Sequence, residues 1–233
     1  MSKKLQIGGF VPFTTIDFPG LSSAVVFCRG CPWRCSYCQN KELQAFVSAD
    51  ELSLSGPGTK KTNSALDWNG VLAKIFERRN FLEGVVFSGG EPLAQEEIAD
   101  AINAVKSLGL KVGLHTSGAY PQTLQTLEKI DWVGLDIKTS FDKYDALTGV
   151  KDSGIATQQS LDVLLNKSID FECRTTVDPA YVSPEQVLEI ARYLRKKGVK
   201  TYKLQRCFDD DRAPLYSPCF DDEFTKKLDT IML

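Results

Sequence analysis

Six short strand-like runs, at residues 22–28, 84–87, 111–115, 132–137, 170–177 and 200–204, the first apolar and β-branched, alternate with helical patterns along this 233-residue chain. This rhythm constrains the fold more than any other feature, because strands separated by helices build a parallel sheet through right-handed crossovers. The first helix is predicted at 65–79, where Leu66, Val71, Leu72, Ile75 and Phe76 recur at helical spacing. The second covers 95–108 and stops at Gly109. Another begins at Pro121, and one spans 155–165. Ser183-Pro184-Glu185 opens the next, with serine as N-cap and proline in the first turn, and Gly198 ends it; the last dozen residues form a terminal helix. Six units rather than eight predict a partial (β/α)6 barrel of the TIM type, and a doubly wound open sheet satisfies the same pattern. Residues 1–20 read as an extended lead-in with turns at Gly8-Gly9 and Pro19-Gly20. Residues 41–49 suit a short helix, and 47–63, rich in Ser, Gly and Pro, suits a polar surface loop on a single domain covering 1–233.

Charge and hydropathy exclude several roles. A net charge of −2 leaves no broad basic face for nucleic acid or an anionic membrane. No apolar run approaches the ~20 residues that a membrane span needs, and no hydrophobic segment of a signal peptide follows Met1-Ser-Lys-Lys-Leu5. The expectation is a cytoplasmic protein whose thiols stay reduced and open to metal.

Every predicted strand ends, on its C-terminal side, in an unusual polar or glycine-rich motif. In order these are the cysteine stretch Cys31-Pro-Trp-Arg-Cys35-Ser-Tyr-Cys38, Ser88-Gly89-Gly90-Glu91-Pro92, His115-Thr116-Ser117-Gly118, Asp136-Ile137-Lys138, the run Arg174-Thr175-Thr176, and Gln205-Arg206. Barrel enzymes build their active sites on that face. Asp136 and Lys138 stand two residues apart on an extended segment, so both side chains point to one side.

The cysteine stretch carries the most specific chemistry. Four-iron clusters usually take four thiolates, so three leave one iron open for another ligand. Counting Cys28 as well gives four thiolates in a C-x2-C-x3-C-x2-C spacing, which suits a structural zinc. Spacing alone leaves both open, the second as a non-enzymatic zinc-binding module. A disulfide framework is disfavoured, since seven cysteines is an odd count in a chain of this size.

The C-x3-C-x2-C spacing, with Tyr37 directly before the last cysteine, resembles the signature of the radical S-adenosylmethionine (SAM) enzymes. The wider stretch from Phe27 to Asn40, with Thr15-Ile-Asp-Phe-Pro-Gly20 ahead of it, is similar to the activating enzymes of glycyl-radical enzymes, above all the anaerobic ribonucleoside-triphosphate reductase activating proteins. The resemblance implies a (β/α)6 partial barrel and a [4Fe-4S] cluster on Cys31, Cys35 and Cys38 that cleaves SAM. Reduced flavodoxin or ferredoxin would give one electron, yielding methionine and a 5′-deoxyadenosyl radical that takes hydrogen from a glycine of the partner, anaerobic ribonucleotide reductase. It implies SAM contacts from Gly89, Gly90 and Glu91, from Asp136 and Lys138, from Arg174, from Tyr37 at the adenine, and from His115 and Thr116; Asp17 would meet the partner's loop. A compact small-molecule enzyme resembling 7-carboxy-7-deazaguanine synthase is the enzymatic alternative. Two departures stand out: His115 occupies a position that is aspartate in pyruvate formate-lyase activating enzymes, and Gln205-Arg206-Cys207 stands where relatives carry an adenine-side histidine.

Overall fold

The computed structural model describes residues 5–46, 66–208 and 221–232. The expected polar loop at 47–63 and Cys219 lie outside them. Seven strands are hydrogen-bonded neighbours in chain order: β1 (Ile7–Thr14), β2 (Ser23–Cys28), β3 (Gly84–Gly89), β4 (Lys111–Thr116), β5 (Trp132–Asp136), β6 (Asp170–Val177) and β7 (Tyr202–Arg206). The order runs from β1 to β7 without closing, as a partial barrel requires. The helices are α1 (Trp68–Arg78), α2 (Ile98–Ser107), α3 (Pro121–Thr126), α4 (Tyr144–Thr148), α5 (Ser153–Asn166), α6 (Pro184–Lys197) and α7 (Asp222–Met232). Among the described residues no helix is long and apolar enough to cross a membrane.

Two expectations need correction. The lead-in is not merely extended: Ile7–Thr14 forms a seventh strand, antiparallel to β2. Its glycines and proline masked it, yet the register slips between Val11 and Thr14, so Pro12 sits where the ladder is interrupted and its missing N–H costs nothing. Of the short helix expected over 41–49, the described part, 41–46, holds a single 3-10 turn, Lys41–Leu43, and 47–49 lie outside the described residues.

The chain divides into two compact units, Met1–Pro32 with Asn40–Thr116 and Gln122–Val133, and Trp33–Gln39 with Ser117–Pro121 and Gly134–Leu233. In the first unit β2, β3 and β4 are parallel, with Val25 beside Val86 and Val86 beside Gly113. All of Gly84–Phe87 is buried, as expected of a strand covered on both faces. Phe18, Val25, Val86 and Trp132 form one apolar cluster, for which Gly84 and Gly113 make room: a Cβ on either would lie 2.9 Å or 3.2 Å from the Phe18 ring. Asp67 caps α1 by accepting the Gly70 N–H.

In the second unit β6 and β7 are parallel. Val187 and Ala191 of α6 pack with Phe224 and Leu228 of α7. The α6 start carries a full capping box: Ser183 Oγ accepts the Gln186 N–H at 3.4 Å, and Gln186 Oε1 accepts the Ser183 N–H at 2.9 Å. The Gln186 amide nitrogen also donates to the hydroxyls of Thr139 and Ser140, just after Lys138. Gly198 ends the helix at φ 91°, a conformation that glycine adopts without strain.

Candidate active site

The first unit holds the Gly-Gly-Glu motif and the entry to the cysteine stretch. Gly89 and Gly90 are demanded by backbone packing. Gly89 has φ 110°, and a Cβ there would stand 2.5 Å from the Cys28 carbonyl oxygen; one on Gly90 would stand 2.4 Å from that of Gly30. The two segments are laced together, Gly90 N–H donating to the Cys28 carbonyl at 2.9 Å and Glu91 N–H to that of Gly30 at 2.8 Å. Asn40 Nδ2 donates to the Gly89 carbonyl. On the other flank, the Gly30 and Cys31 N–H groups donate to the carbonyls of Leu43 and Gln44. Gln95, buried, ties the base of this arrangement by donating to the Arg29 carbonyl and accepting the Gln6 N–H.

Glu91 is fully buried, and one carboxylate oxygen accepts both Thr116 Oγ1 at 2.7 Å and the Leu93 N–H at 3.1 Å. Glu91 and Thr116, singled out separately in the sequence, are therefore hydrogen-bonded partners. Cys28 is buried in β2, and burial, aided by the Glu91 charge, pushes its thiol far above the ordinary range. A thiol held neutral in this way packs as a small apolar group. His115, half-buried, places Nε2 2.9 Å from the Asp17 carbonyl oxygen.

The second unit gathers Cys35, Tyr37, Asp136, Lys138 and Arg174. One Asp136 carboxylate oxygen accepts Arg174 Nε at 3.1 Å and Nη2 at 2.7 Å; the other lies 3.7 Å from Lys138 Nζ. Asp136 and Lys138 thus share a face, as their spacing predicts, and Arg174 joins them from β6. Burial disfavours charge on the Lys138 ammonium, but the Tyr37 oxygen, the Asp136 carboxylate and Cys35 together hold its pKa above the ordinary lysine value. Tyr37 packs with Leu147 and Cys207, sits 5.9 Å from the Tyr181 ring, and donates its hydroxyl to the Lys138 carbonyl. Sequence reading missed Tyr144, fully buried in α4, whose hydroxyl accepts the Lys138 N–H at 2.8 Å. Its signal was the i, i+3 spacing of Phe141, Tyr144 and Leu147.

The thiol chemistry fits an iron–sulfur centre. Among the described cysteines none is in a disulfide, and Cys31, Cys35 and Cys38 are half-buried whereas Cys28, Cys173 and Cys207 are buried. Burial raises the Cys35 thiol, and Lys138 opposes that by favouring the thiolate. Among the described residues no three or more His, Cys, Asp or Glu side chains converge as they would around a single metal ion. A cubane takes its thiolates on different irons, so its ligands need not converge on one point.

The sequence pattern of the Radical SAM superfamily matches residues 25–209, a stretch crossing both units. The chain belongs to the radical SAM superfamily. It is an enzyme whose cofactors are a [4Fe-4S] cluster and S-adenosylmethionine. It is 28% identical, over 96% of its length and 85% of the relative's, to a protein of Methanocaldococcus jannaschii assigned as a glycyl-radical enzyme activating enzyme. It is also 28% identical, over 77% of its length and 72% of the relative's, to the pyruvate formate-lyase-activating enzyme of Clostridium pasteurianum. Its fold is similar to that of SuiB from Streptococcus suis, solved with S-adenosylmethionine bound, at a TM-score of 0.56, 14% identity and coverage of 86% of this chain and 44% of that one.

Proposed function

We propose that this enzyme is an activase that installs a glycyl radical on a partner enzyme, and that the partner is an anaerobic ribonucleoside-triphosphate reductase. The observation that carries the reading is the similarity over 96% of the chain to an assigned glycyl-radical activase. The Thr15–Gly20 lead-in and the Phe27–Asn40 stretch favour the reductase as partner. When bound and supplied with one electron by flavodoxin or ferredoxin, the cluster and SAM furnish a carbon radical that removes one hydrogen atom from a glycine Cα. Cys31, Cys35 and Cys38 hold the cluster through their thiolates. Asp136 accepts from ribose hydroxyls, and Lys138 and Arg174 offer positive charge to the SAM carboxylate. Gly89, Gly90, Glu91 and Thr116 form the strand ends beside the methionyl amine, and Tyr37 supports the adenine side. Asp17 accepts N–H groups of the partner's glycine loop, bringing the Cα within the ~3–3.5 Å needed for attack.

Two results are expected. Asp136→Ala and Lys138→Ala each weaken SAM binding by roughly 1.5–3 kcal/mol, the cost of losing a hydrogen bond to a charged group, or about 10- to 150-fold in Kd, with iron content unchanged; anaerobic calorimetry reads this. Asp136→Ala also lowers the melting temperature, because it strands two cations, while Lys138→Ala leaves the Arg174–Asp136 pair intact.

The reading itself is tested by incubating reduced enzyme, SAM and the reductase and recording an EPR spectrum. A glycine-centred doublet on the reductase is expected, and Asp17→Ala diminishes it more than it diminishes SAM cleavage without partner. No doublet on any glycyl-radical enzyme, together with turnover of a small molecule, would assign the chain to the small-molecule branch.

A further inference from the structure

We propose that His115 is a positioning residue: it holds the loop 14–20 in the conformation that presents Asp17 to the partner, and it acts on the partner step rather than on SAM. The proposal rests on the activase reading. Its geometry lies wholly within the first unit.

Four observations converge on the loop. The Asp17 carbonyl can only accept, so the contact at 2.9 Å requires that His115 Nε2 carry the proton and donate. The His115 ring stands edge-on to Trp132, with centroids 5.5 Å apart at 72°, and Trp132 in turn packs on Phe18 at 5.6 Å. The residue after Asp17 is thus fixed by burial, since Phe18 is only 4% exposed. Beyond it the chain turns at once: Leu21 N–H donates to the Phe18 carbonyl, and Gly20 has φ 74°, the geometry of a type II turn with Pro19 and Gly20 at its centre. Before it, Thr14 Oγ1 donates to one Asp17 carboxylate oxygen at 2.7 Å and accepts the Ile16 N–H.

The loop is therefore held at Thr14, Phe18 and Leu21, and His115 ties the Asp17 backbone to β4. What remains outward-facing has the chemistry of a peptide receptor. The other Asp17 carboxylate oxygen has no hydrogen-bond partner among the described residues, so it can accept a backbone N–H. Beside it Ile16 is 89% exposed and Phe13, near the end of β1, 50%, apolar surface next to an anion. A chain segment rich in glycine offers accessible N–H groups and little side-chain bulk to such a site. A histidine that fixes the Asp17 backbone lowers the ordering cost of this encounter.

The test compares wild type with His115→Ala and His115→Gln, whose amide can still donate. Without partner, hydrogen–deuterium exchange of the 12–21 peptide is expected to quicken roughly 3- to 10-fold in His115→Ala, the loss of one hydrogen bond, and to return toward wild type in His115→Gln. With the reductase, KM for the partner rises by a similar factor in His115→Ala while kcat and the SAM Kd change less than twofold. Unchanged exchange in His115→Ala overturns the loop-holding role. A tenfold loss of SAM affinity overturns the partner-side assignment and returns His115 to the SAM pocket. A wild-type enzyme that yields no glycyl radical on any partner overturns the activase reading and the partner half of the proposal, while the exchange result separately decides whether His115 holds the loop.

Discussion

Replacing Cys35 with alanine, or Cys31 or Cys38, will abolish iron binding, and replacing Cys28 will not. Anaerobically reconstituted wild type should carry about four irons and four sulfides, and each of the three single variants should fall to near zero by iron and sulfide analysis, with loss of the brown charge-transfer absorption. The physical contrast lies in the thiols. Cys31, Cys35 and Cys38 are partly accessible on a loop without regular structure; burial raises the Cys35 thiol, and Lys138 opposes that rise. Cys28 is sealed in β2, its thiol held neutral by burial and by Glu91, and a neutral thiol is neither nucleophile nor ligand. Cys28→Ala should cost only the modest stability of a small cavity, roughly 1 kcal/mol. Loss of iron in Cys28→Ala alone would overturn the three-ligand assignment.

The second large effect is on stability. Gly89→Ala should destabilise the protein by roughly 2–5 kcal/mol, combining overpacking of about 1–3 with a left-handed backbone of about 1–2. For a chain of this size that lowers the melting temperature by roughly 4–20 °C. The Cβ would press on Cys28 backbone atoms at 2.5 Å and 2.6 Å, and backbone cannot swing aside as a side chain can. Gly70→Ala is the control: nothing lies within 4 Å of its Cβ, its backbone is helical, and it should gain about 0.5–1 kcal/mol. If Gly89→Ala melts like wild type, the close approach of β3 to the Cys28 end of β2 is not what the glycine is for.

β2 and β3 were legible because each carries a buried run of Val and Phe, a signal that needs no partner to be seen, whereas β7, Tyr-Lys-Leu-Gln-Arg and largely exposed, was legible only from the strand–helix alternation. Predicted and observed strands agree to within two residues at their ends, from residues 84–87 against Gly84–Gly89 to 200–204 against Tyr202–Arg206. β1 was not legible, since Gly8, Gly9 and Pro12 argue against a strand and only pairing with β2 overrides them. The 41–49 helix was over-read for the opposite reason: local propensity extends past Leu43, but the Leu43 and Gln44 carbonyls accept from Gly30 and Cys31 instead of continuing a helix. At the site, the Asp136–Lys138 spacing disclosed a shared face, and an arginine on the neighbouring strand suggested Asp136 as a partner acid, but no sequence rule discloses that Nε and Nη2 both reach one oxygen of it. Glu91 and Thr116 were noticed for their motifs, 25 residues apart; their hydrogen bond exists only because β3 and β4 lie side by side.

The capping box of α6 has a consequence for anyone engineering this enzyme. Glutamate is ordinarily as good a third residue in such a box as glutamine, and its charge suits the helix N-terminus. A designer scanning for thermostabilising surface changes would therefore score Gln186→Glu as free or favourable. Here the side chain has two jobs, because its nitrogen also reaches Thr139 and Ser140, which are only 1% and 4% exposed. Carboxylate in place of amide removes that donor, so the two buried hydroxyls must reverse and donate to a charged group just beyond Asp136-Ile137-Lys138. The trade would leave the helix no weaker while loosening the strand end proposed to carry the ligand contacts, so this helix start is off limits to routine cap optimisation.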